Sequence, residues 1–281
     1  MPFETRYARP ADDEVEALVH AALRGAAPPR DTWDIIETGS SNLVVLTGSA
    51  AVRIARGGGG TDLRRVQELI DHLPGLPFDL PQSLGPIVEH HGLVAVATRR
   101  LRGDVHPPGG GNVRALRHLL DAIHGVDPAP LRTWLAPPRS FAGGAKWREV
   151  MDESVIPRLP AEVQDEARRR VDALQGLPRV RCTLNHGDLA GSNILWQEGR
   201  VTGVLDWDLT AEDDPAEDVA SLAGWHGWDI VHELADAETV AHATVFRASF
   251  PLQIVAFTVV QERPDDEIDR AVLRAAGALQ R

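Results

Sequence analysis

Residues 183–208, TLNHGDLAGSNILWQEGRVTGVLDWD, constrain the fold of this 281-residue chain more than any other segment. A short apolar strand leads into His186-Gly187-Asp188, and Asn193 follows five residues after Asp188. A second β-rich run, 201–205, then ends in Asp206. The pattern predicts two buried strands whose ends carry two carboxylates and one amide on loops.

These side chains suit phosphoryl transfer, which needs positioning and charge stabilisation more than covalent help from the protein. One carboxylate would orient an acceptor hydroxyl and accept its proton, while the remaining oxygen ligands would hold metal ions against nucleotide phosphates. Asp and Asn also favour ordinary turns, because their side chains bond the local backbone. Each residue alone would fit a turn, but the three at these spacings favour a small-molecule kinase.

The segment and the residues after it resemble the signature of the aminoglycoside phosphotransferase family, which also includes macrolide phosphotransferases and choline and homoserine kinases. Asp214-Pro215 and Asp218-Val219-Ala220 match the family's D-P-x-x-D pattern followed by an aliphatic residue and Ala. The linked motifs run in the family's order from residue 183 to residue 220.

The resemblance implies a role for each matched residue. Asp188 takes the place of the catalytic aspartate, and Asn193 and Asp206 take those of the metal ligands. His186 and Asp218 would give structural support to the loop that carries Asp188.

The resemblance also implies an α+β, bilobal protein-kinase-like fold with a small antiparallel-sheet lobe and a larger, mainly helical lobe. We place the nucleotide-binding lobe at 1–98, the hinge at 99–103 and the catalytic and substrate-binding lobe at 104–281. Periodicity and turn residues agree with this division. They predict strands at 33–36, 43–46, 51–55 and 94–98, and helices at 11–24, 64–73, from 112, 146–159, 161–174, 216–247, 250–262 and 266–280.

The lobe predicted to bind the nucleotide lacks two common kinase features. The turn with Gly39, Ser40, Ser41 and Asn42 lies between two strands, where a kinase covers the phosphates, yet it contains one glycine only. Its backbone N–H groups and polar side chains suit phosphate oxygens, and a plain hairpin turn remains an equal alternative.

The second missing feature is the phosphate-pairing lysine of the third strand. The only lysine of the chain, Lys146, belongs to the larger lobe, and the third strand offers Arg53 instead. Arginine forks onto two phosphate oxygens and stays charged, so Arg53 can serve. The sequence leaves open which acidic residue of the predicted helix at 64–73, or just before it, would pair with Arg53. Glu68 lies on the opposite face from the apolar positions, and Asp62 lies nearer to them.

Substrate recognition is the least constrained part of the sequence. Trp225, His226 and Trp228 follow the metal aspartate, and a tryptophan face beside carboxylates suits an ammonium group. Asp208 fits a loop position better than a second metal contact, and we group it with these candidates. Residues 201–246 hold eleven acidic residues and no Lys or Arg. Two interpretations fit equally: the acids attract a cationic acceptor, or they form an ordinary solvated face of an acidic protein.

Composition limits the partners. A net charge of −12 argues against a nucleic-acid partner. No signal peptide is recognisable, and the longest apolar run, 250–260, suits a buried helix better than a membrane span. A single cysteine, Cys182, fits a reducing compartment. We therefore expect a cytoplasmic protein without a membrane partner, and the oligomeric state stays open.

These observations predict a Mg²⁺-dependent kinase that moves the γ-phosphoryl group of ATP or GTP to a hydroxyl of a small, amine-bearing acceptor. The resemblance makes an aminoglycoside or macrolide antibiotic the leading acceptor class. Homoserine, choline and sugars are alternatives, since the motifs concern phosphate chemistry and not the acceptor pocket. A nucleotide-binding pseudokinase and a metal-dependent hydrolase are the two other functions that the residues allow.

Overall fold

The chain folds into a small lobe built on one antiparallel sheet and a larger, mainly helical lobe. The computed structural model describes residues 9–37, 42–55 and 60–281. The predicted α+β class, with a small antiparallel-sheet lobe and a larger helical lobe, is confirmed. The last long strand of the small sheet ends at Arg99, and the first strand of the larger lobe begins at Asp104. The predicted hinge, 99–103, begins at the last residue of the first strand and covers the connection to the second.

Two helices and a five-stranded sheet form the small lobe. The strand order is β1-β2-β3-β5-β4, and every neighbouring pair is antiparallel. The elements in chain order are α1 (Asp12–Ala22), β1 (Asp34–Ile36), β2 (Asn42–Leu46), β3 (Ala50–Ala55), α2 (Gly60–His72), β4 (Val88–His90) and β5 (Leu93–Arg99).

Alternating burial explains why the small sheet forms. In β2, Leu43 and Val45 are buried while their neighbours are half-buried, as expected when successive side chains point to opposite faces. The buried face packs against α1, whose apolar side chains recur at helical spacing. The packed α1 residues are Val15, Leu18, Val19 and Ala22.

Helix α2 joins the two lobes. Leu63 packs with the small sheet, whereas Val66, Leu69 and Ile70 belong to the main core of the larger lobe. These four positions lie on one face of the helix because their spacing follows the helical repeat. The position of α2 therefore depends on apolar contacts with both lobes.

The larger lobe contains two small sheets and the remaining helices. One sheet has the order β6-β8-β9 and the other pairs β7 with β10. The strands are β6 (Asp104–Val105), β7 (Thr183–Asn185), β8 (Ile194–Gln197), β9 (Arg200–Val204) and β10 (Ala211–Asp213). The helices are α3 (Val113–His124), α4 (Trp147–Val150), α5 (Ala161–Gln175), α6 (Ala216–His226), α7 (Val231–Leu234), α8 (Ala237–Val260) and α9 (Asp265–Leu279).

Two predicted helices differ from the structure. Gly227, with φ 124°, ends α6 and divides the region predicted as one helix over 216–247. The helix predicted over 250–262 is not separate, and Pro251 near its start lies inside α8. Proline removes one helical hydrogen bond and crowds the preceding turn. The helix continues because it packs against α5, α6 and α9, whose contacts fix its path.

The prediction of a regular helix over 146–159 was also wrong in detail. Only α4 is α-helical there, and a π-helical turn, Met151–Val155, and a 3₁₀ turn, Ile156–Arg158, follow it. Pro157 lies in the 3₁₀ turn and lacks the N–H that an α-helix would use. The buried side chains of these turns join a second core formed mainly by α5, α8 and α9.

Among the helices of the described chain, α8 alone is long and apolar enough to be compared with a membrane span. The helix has 24 residues, and an apolar window of 18 residues within it has a mean hydropathy of 1.5. By length and composition it would also suit a membrane-crossing helix. Here 44% of that apolar window is buried inside the protein, and α5, α6 and α9 pack against it. This is the arrangement of a core helix.

Candidate active site

Asp188 and Asn193 face each other across a short loop between β7 and β8. The Asn193 amide Nδ2 donates to the Asp188 carboxylate at 3.1 Å and to its backbone carbonyl at 2.9 Å. A 3₁₀ turn, Gly191–Asn193, supplies the bend that brings the two side chains together. We call residues 186–193 the catalytic loop. The structure therefore brings together two of the three residues that the spacing predicted.

The β8–β9 hairpin brings the third residue, Asp206, to the same place. Glu198 and Gly199, both at positive φ, form its two-residue turn, a geometry that matches strand twist. The paired strands then return to the catalytic loop, where the Leu205 N–H donates to the Asn193 carbonyl at 2.8 Å. Asp206 follows directly, in the left-handed region at φ 62° and ψ 63°. Non-glycine residues in this region often mark functional sites.

The carboxylates of this site repel one another. Partial burial raises the pKa of Asp206 to about 7, with the nearby Asp208 carboxylate adding to the rise and Arg53 opposing it. The Asp206 side chain keeps access to solvent, so the surrounding protein desolvates it without enclosing it. Burial also raises the pKa of Asp188, against the effect of the hydrogen bond from Asn193. A bound cation would relieve this repulsion.

Asn193 and Asp206 offer suitable ligands for Mg²⁺. Both acceptors that contact the Asn193 amide lie on Asp188, so the NH₂ group must face them and the amide oxygen Oδ1 is left to accept elsewhere. Carboxylate and amide oxygens are the ligands that this hard cation prefers. The donor set of the site therefore fits Mg²⁺.

The catalytic loop is braced from behind by Asp218 on α6. Its fully buried carboxylate accepts from the backbone N–H groups of His186 and Gly187 at 2.8 and 3.0 Å. His124, at the end of α3, lies 3.3 Å from the same carboxylate. Burial opposes ionisation, but these hydrogen bonds lower the pKa of Asp218 below its usual value. Asp218 thus connects α3, α6 and the loop.

His186 joins the catalytic loop to the strand that delivers Asp206. Its ring Nε2 lies 2.9 Å from the Leu205 carbonyl, and its Nδ1 accepts from the Asp188 N–H at 3.3 Å. The ring also packs edge-on against the buried indole of Trp207. His186 is itself buried, so its position suits a structural part.

Arg53 reaches the site from β3 in the small lobe. Its Nη2 donates to Oδ1 of Asp208 at 2.8 Å, and the two side chains are 12% and 25% exposed. Burial works against its charge, but the carboxylates of Asp208 and Asp206 raise the pKa of Arg53 overall. Among the described residues, Asp208 is the only carboxylate within ion-pair distance of Arg53.

Arg65 on α2 is a site residue that the sequence analysis missed. Its guanidinium donates to the backbone carbonyls of Trp134 at 2.7 Å and Asp208 at 3.0 Å. No local pattern signals these contacts, because the partners lie 69 and 143 positions away in the chain. Two arginines of the small lobe therefore bind the loop that follows Asp206.

Trp225 lies directly against the catalytic loop. A Cβ built on Gly191 would lie 2.1 Å from the indole Cδ1, so the ring packs on the bare backbone of this glycine. The indole Nε1 donates to the His106 carbonyl at 3.0 Å, which fixes the ring. Trp225 thus packs directly against the loop that carries Asp188.

The other two aromatic residues that we predicted to contact the substrate, His226 and Trp228, already make contacts within the protein. His226 is 1% exposed, and its Nδ1 lies 2.8 Å from the Gly110 carbonyl. Burial lowers the pKa of His226. The Trp228 ring is covered by the guanidinium of Arg247, whose central carbon lies 4.3 Å from the ring centroid. That face of Trp228 holds a cation of the protein itself.

Many acids of the 201–246 stretch also have structural contacts. Asp214 contacts His242 at 2.6 Å, and Glu212 pairs with Arg132 through two hydrogen bonds. Asp236 caps α8 by accepting from the Thr239 N–H. Several acids of this stretch therefore brace loops or cap a helix, and others belong to a solvated acidic face.

One predicted group of ligands cannot be placed. Gly39, Ser40 and Ser41 lie outside the described residues. Asn42 begins β2 opposite Ala55 of β3, at the edge of the turn that the sequence analysis assigned to phosphate binding.

The two lobes, with a carboxylate and amide site on the loops of the larger one, define a protein of the kinase-like fold. The chain belongs to the phosphotransferase enzyme family, whose model matches residues 32–249.

Individual relatives agree with this assignment. Viomycin phosphotransferase of Streptomyces vinaceus is 30% identical over 153 residues, which cover 51% of this chain and 49% of that protein. The match thus spans about half the length of this curated relative.

The fold matches solved structures over nearly the whole chain. The GDP and kanamycin complex of APH(2″)-IIIa superposes with a TM-score of 0.78 at 16% identity, over 94% of this chain and 97% of the other. Macrolide 2′-phosphotransferase MphH from Brachybacterium faecium gives 0.67 at 19% identity, over 94% and 98%. At these identities the likeness concerns the fold.

Proposed function

We propose that this protein is a Mg²⁺-dependent small-molecule kinase that transfers the γ-phosphoryl group of ATP or GTP to a hydroxyl of an antibiotic. The observation that carries the proposal is the contact of Asn193 with Asp188, beside the strand end that delivers Asp206. This contact supports the proposal because the carboxylate that we assign to the acceptor lies beside an amide that we assign to the metal. Arg53 reaches the same region through its pair with Asp208. Family membership supports the same reaction class.

Each residue has a defined part in this reaction. Asp188 orients the acceptor hydroxyl and accepts its proton, and the Asn193 amide holds the Asp188 carboxylate in position. Asn193 and Asp206 would hold Mg²⁺, which would supply charge neutralisation for the transferred phosphoryl group. Arg53 binds nucleotide phosphate oxygens, and His186 and Asp218 keep the loop rigid.

The donor is a purine nucleoside triphosphate. One structural neighbour was solved with GDP, which makes GTP as reasonable a donor as ATP. The predicted hinge lies between β5 and β6, where backbone groups would meet the base. We therefore propose both nucleotides for testing.

The acceptor class comes from the relatives. A curated relative acts on viomycin by its name, and the structural neighbours are named for kanamycin binding and for macrolides. We propose that the acceptor is an antibiotic hydroxyl close to Trp225, because this indole lies against the catalytic loop. An amine on the acceptor would suit the exposed acids Asp229 and Glu233 nearby in sequence.

A mass-spectrometric acceptor screen tests the proposal. Purified protein, Mg²⁺ and either ATP or GTP would be incubated with viomycin, aminoglycosides, macrolides, choline, homoserine and simple sugars. We expect a gain of about 80 Da, one phosphoryl group, on an antibiotic. Asp188→Asn should abolish the gain, and Asp121→Asn, the same change at an exposed position of α3, should preserve it.

The other outcomes reject parts of the proposal. Phosphorylation of choline, homoserine or a sugar alone would replace the acceptor class by a metabolite. Nucleotide binding without any phosphorylated acceptor would favour a pseudokinase. Release of inorganic phosphate without a phosphorylated acceptor would indicate a hydrolase.

A further inference from the structure

The charge of Arg53 requires a fixed partner. Its guanidinium is largely buried, and a buried charge is stable only when it is paired and hydrogen-bonded. In kinases a glutamate of the helix in the small lobe pairs with the basic residue of the third strand. The corresponding helix here is α2, so its acids are the first candidates.

No carboxylate on α2 meets this need. Asp71 accepts from the backbone N–H and the hydroxyl of Ser83. The Glu68 side chain is 54% exposed and lies 3.7 Å from His72. The Asp62 side chain is 78% exposed, and its ion-pair contact is with Arg65 at 3.6 Å. The face of α2 that turns inward is apolar, with Val66, Leu69 and Ile70 in the core.

The carboxylate comes instead from the larger lobe. Asp208 lies in the 3₁₀ turn Trp207–Leu209, directly after Asp206, and it binds Nη2 of Arg53. Arg65 of α2 binds the backbone carbonyl of the same residue. Asp208 is therefore held at both its side chain and its backbone by arginines of the small lobe.

The hydrogen-bond geometry leaves Arg53 able to bind a second anion. A guanidinium has five N–H donors in a planar fork, and the described residues engage it only through Nη2. A carboxylate on one edge fixes the plane of the group, so the remaining donors keep one direction. An arginine can therefore pair with Asp208 through one donor and contact phosphate through the others at the same time. Lysine has no such fork of donors.

We propose that Asp208 is a positioning residue that orients Arg53 toward the nucleotide phosphates, in place of an acid on α2. The proposal rests on the proposed function, because it assumes that Arg53 contacts a nucleotide. Asp208 acts through Arg53, and Arg65 holds the backbone from which the Asp208 side chain extends. The alignment of the phosphates would then depend on one residue of the larger lobe.

A metal-ligand role for Asp208 makes a different prediction, which separates the two possibilities. A residue that only binds Mg²⁺ has no effect on nucleotide affinity when the metal is removed by EDTA. Loss of one negative charge near the phosphates would even tighten metal-free binding. A residue that orients Arg53 should matter with or without the metal.

The test is the dissociation constant of ADP in EDTA, measured by calorimetry on the full chain. Asp208→Asn should weaken metal-free ADP binding roughly tenfold, the effect of losing a charge-assisted hydrogen-bond contact. In an Arg53→Met background the same substitution should cause no further weakening, because Asp208 then has nothing to orient. Glu68→Gln on α2 serves as the matched control and should leave the constant within about twofold of wild type.

A compensating pair of substitutions checks the same contact without removing either charge. Arg53→Lys shortens the basic side chain and should weaken ADP binding. Asp208→Glu adds one methylene, so the Arg53→Lys/Asp208→Glu protein should bind ADP more tightly than Arg53→Lys alone. Thermal melting of every variant identifies proteins that fail to fold, and the folded members of the series decide the question.

Two results would overturn the proposal while leaving the proposed function intact. One is unchanged or tighter metal-free ADP binding in Asp208→Asn, together with normal phosphoryl transfer by the wild type. The other is equal weakening by Asp208→Asn in the wild-type and Arg53→Met backgrounds, which would mean that the two residues act independently. Absence of nucleotide binding by the wild-type protein would instead reject the proposed function.

Discussion

At the scale of single residues, close packing constrains the catalytic loop as much as its functional groups do. Gly191 lies between Asp188 and Asn193, and the indole of Trp225 occupies the space of a side chain at this position. The position of the loop is therefore set partly by a tryptophan that lies well beyond it in the chain. Since transition-state alignment depends on small distances, such packing affects the rate.

Gly191→Ala should lower turnover at least about tenfold, because the new methyl group must displace either the loop or the indole. Trp225→Leu in the same protein should restore part of the loss by vacating that space. Steady-state phosphoryl-transfer rates measure both effects. Gly224→Ala is the matched control, since a methyl group there meets nothing within 4 Å. Wild-type turnover in Gly191→Ala would contradict the packing argument.

The sequence could predict some residues of this site and not others. Asp188, Asn193 and Asp206 follow buried strands at short, fixed spacings, so local pattern identified them and the structure places the first two in contact. The partner of Arg53 could not be found in this way. Asp208 is 155 positions away, and its distance from β3 depends on how the two lobes pack.

At the scale of secondary-structure elements, α2 links the lobes by both apolar and polar contacts. Its inner face belongs to the core of the larger lobe, and Arg65 adds two hydrogen bonds to backbone carbonyls of that lobe. The neighbouring Arg64 makes its ion pair with Glu89 on the small sheet instead. Adjacent arginines on one helix thus contact different lobes.

Arg65→Met should loosen α2 and weaken nucleotide binding, because it removes both hydrogen bonds to the larger lobe. We expect faster amide hydrogen exchange in residues 60–72 and a several-fold rise in the nucleotide KM. Hydrogen exchange with mass spectrometry measures the first effect. Arg64→Met should change neither quantity appreciably, since its ion pair is exposed. Equal exchange in the two variants would contradict a linking role for Arg65.

The ends of the helices and strands show where tertiary packing outweighs local sequence preferences. Four of the five strands of the small sheet begin and end within one residue of the predicted positions, whereas β4 was not predicted. Burial alternates clearly along β2 and through most of β3, but β5 is buried almost throughout. Helix α8 does not break at Pro251, since packing on three sides outweighs the lost hydrogen bond. Proline therefore does not by itself end a helix that is packed along its length, whereas α6 ends at Gly227, whose φ of 124° is outside the helical range.

At the scale of the whole molecule, the acidic composition affects stability as well as binding. Glu217 on α6 is 6% exposed, and burial, with the nearby carboxylate of Asp213, raises its pKa to about 8. The charges of Asp218 and Asp214 act in the same direction, and Arg139 opposes them. The folded protein thus holds a proton on Glu217 at neutral pH that the unfolded chain releases.

The sign of the resulting pH dependence follows from proton binding. Between about pH 4.5 and pH 8 the native state binds more protons at Glu217 than the unfolded state, so stability falls as pH rises. Glu217→Gln removes this slope. We expect its free energy of unfolding, relative to wild type, to increase by about 2 kcal/mol between pH 5.5 and pH 7.5.

Urea unfolding at the two pH values measures this difference. Glu149→Gln, the same substitution at an exposed position of α4, should leave the pH dependence of the wild type unchanged. A Glu217→Gln protein that loses stability relative to wild type as pH rises would show that Glu217 is ionised in the folded state.

The central claim is that Asp188 directs the γ-phosphoryl group to an acceptor hydroxyl and not to water. Phosphorus NMR of the reaction, with ATP or GTP, Mg²⁺ and the acceptor found in the screen, tests it most directly. We expect a phosphomonoester signal to grow as the γ-phosphate signal declines, and we expect Asp188→Asn to prevent both changes. Inorganic phosphate as the sole product, or an undiminished rate in Asp188→Asn, would contradict it.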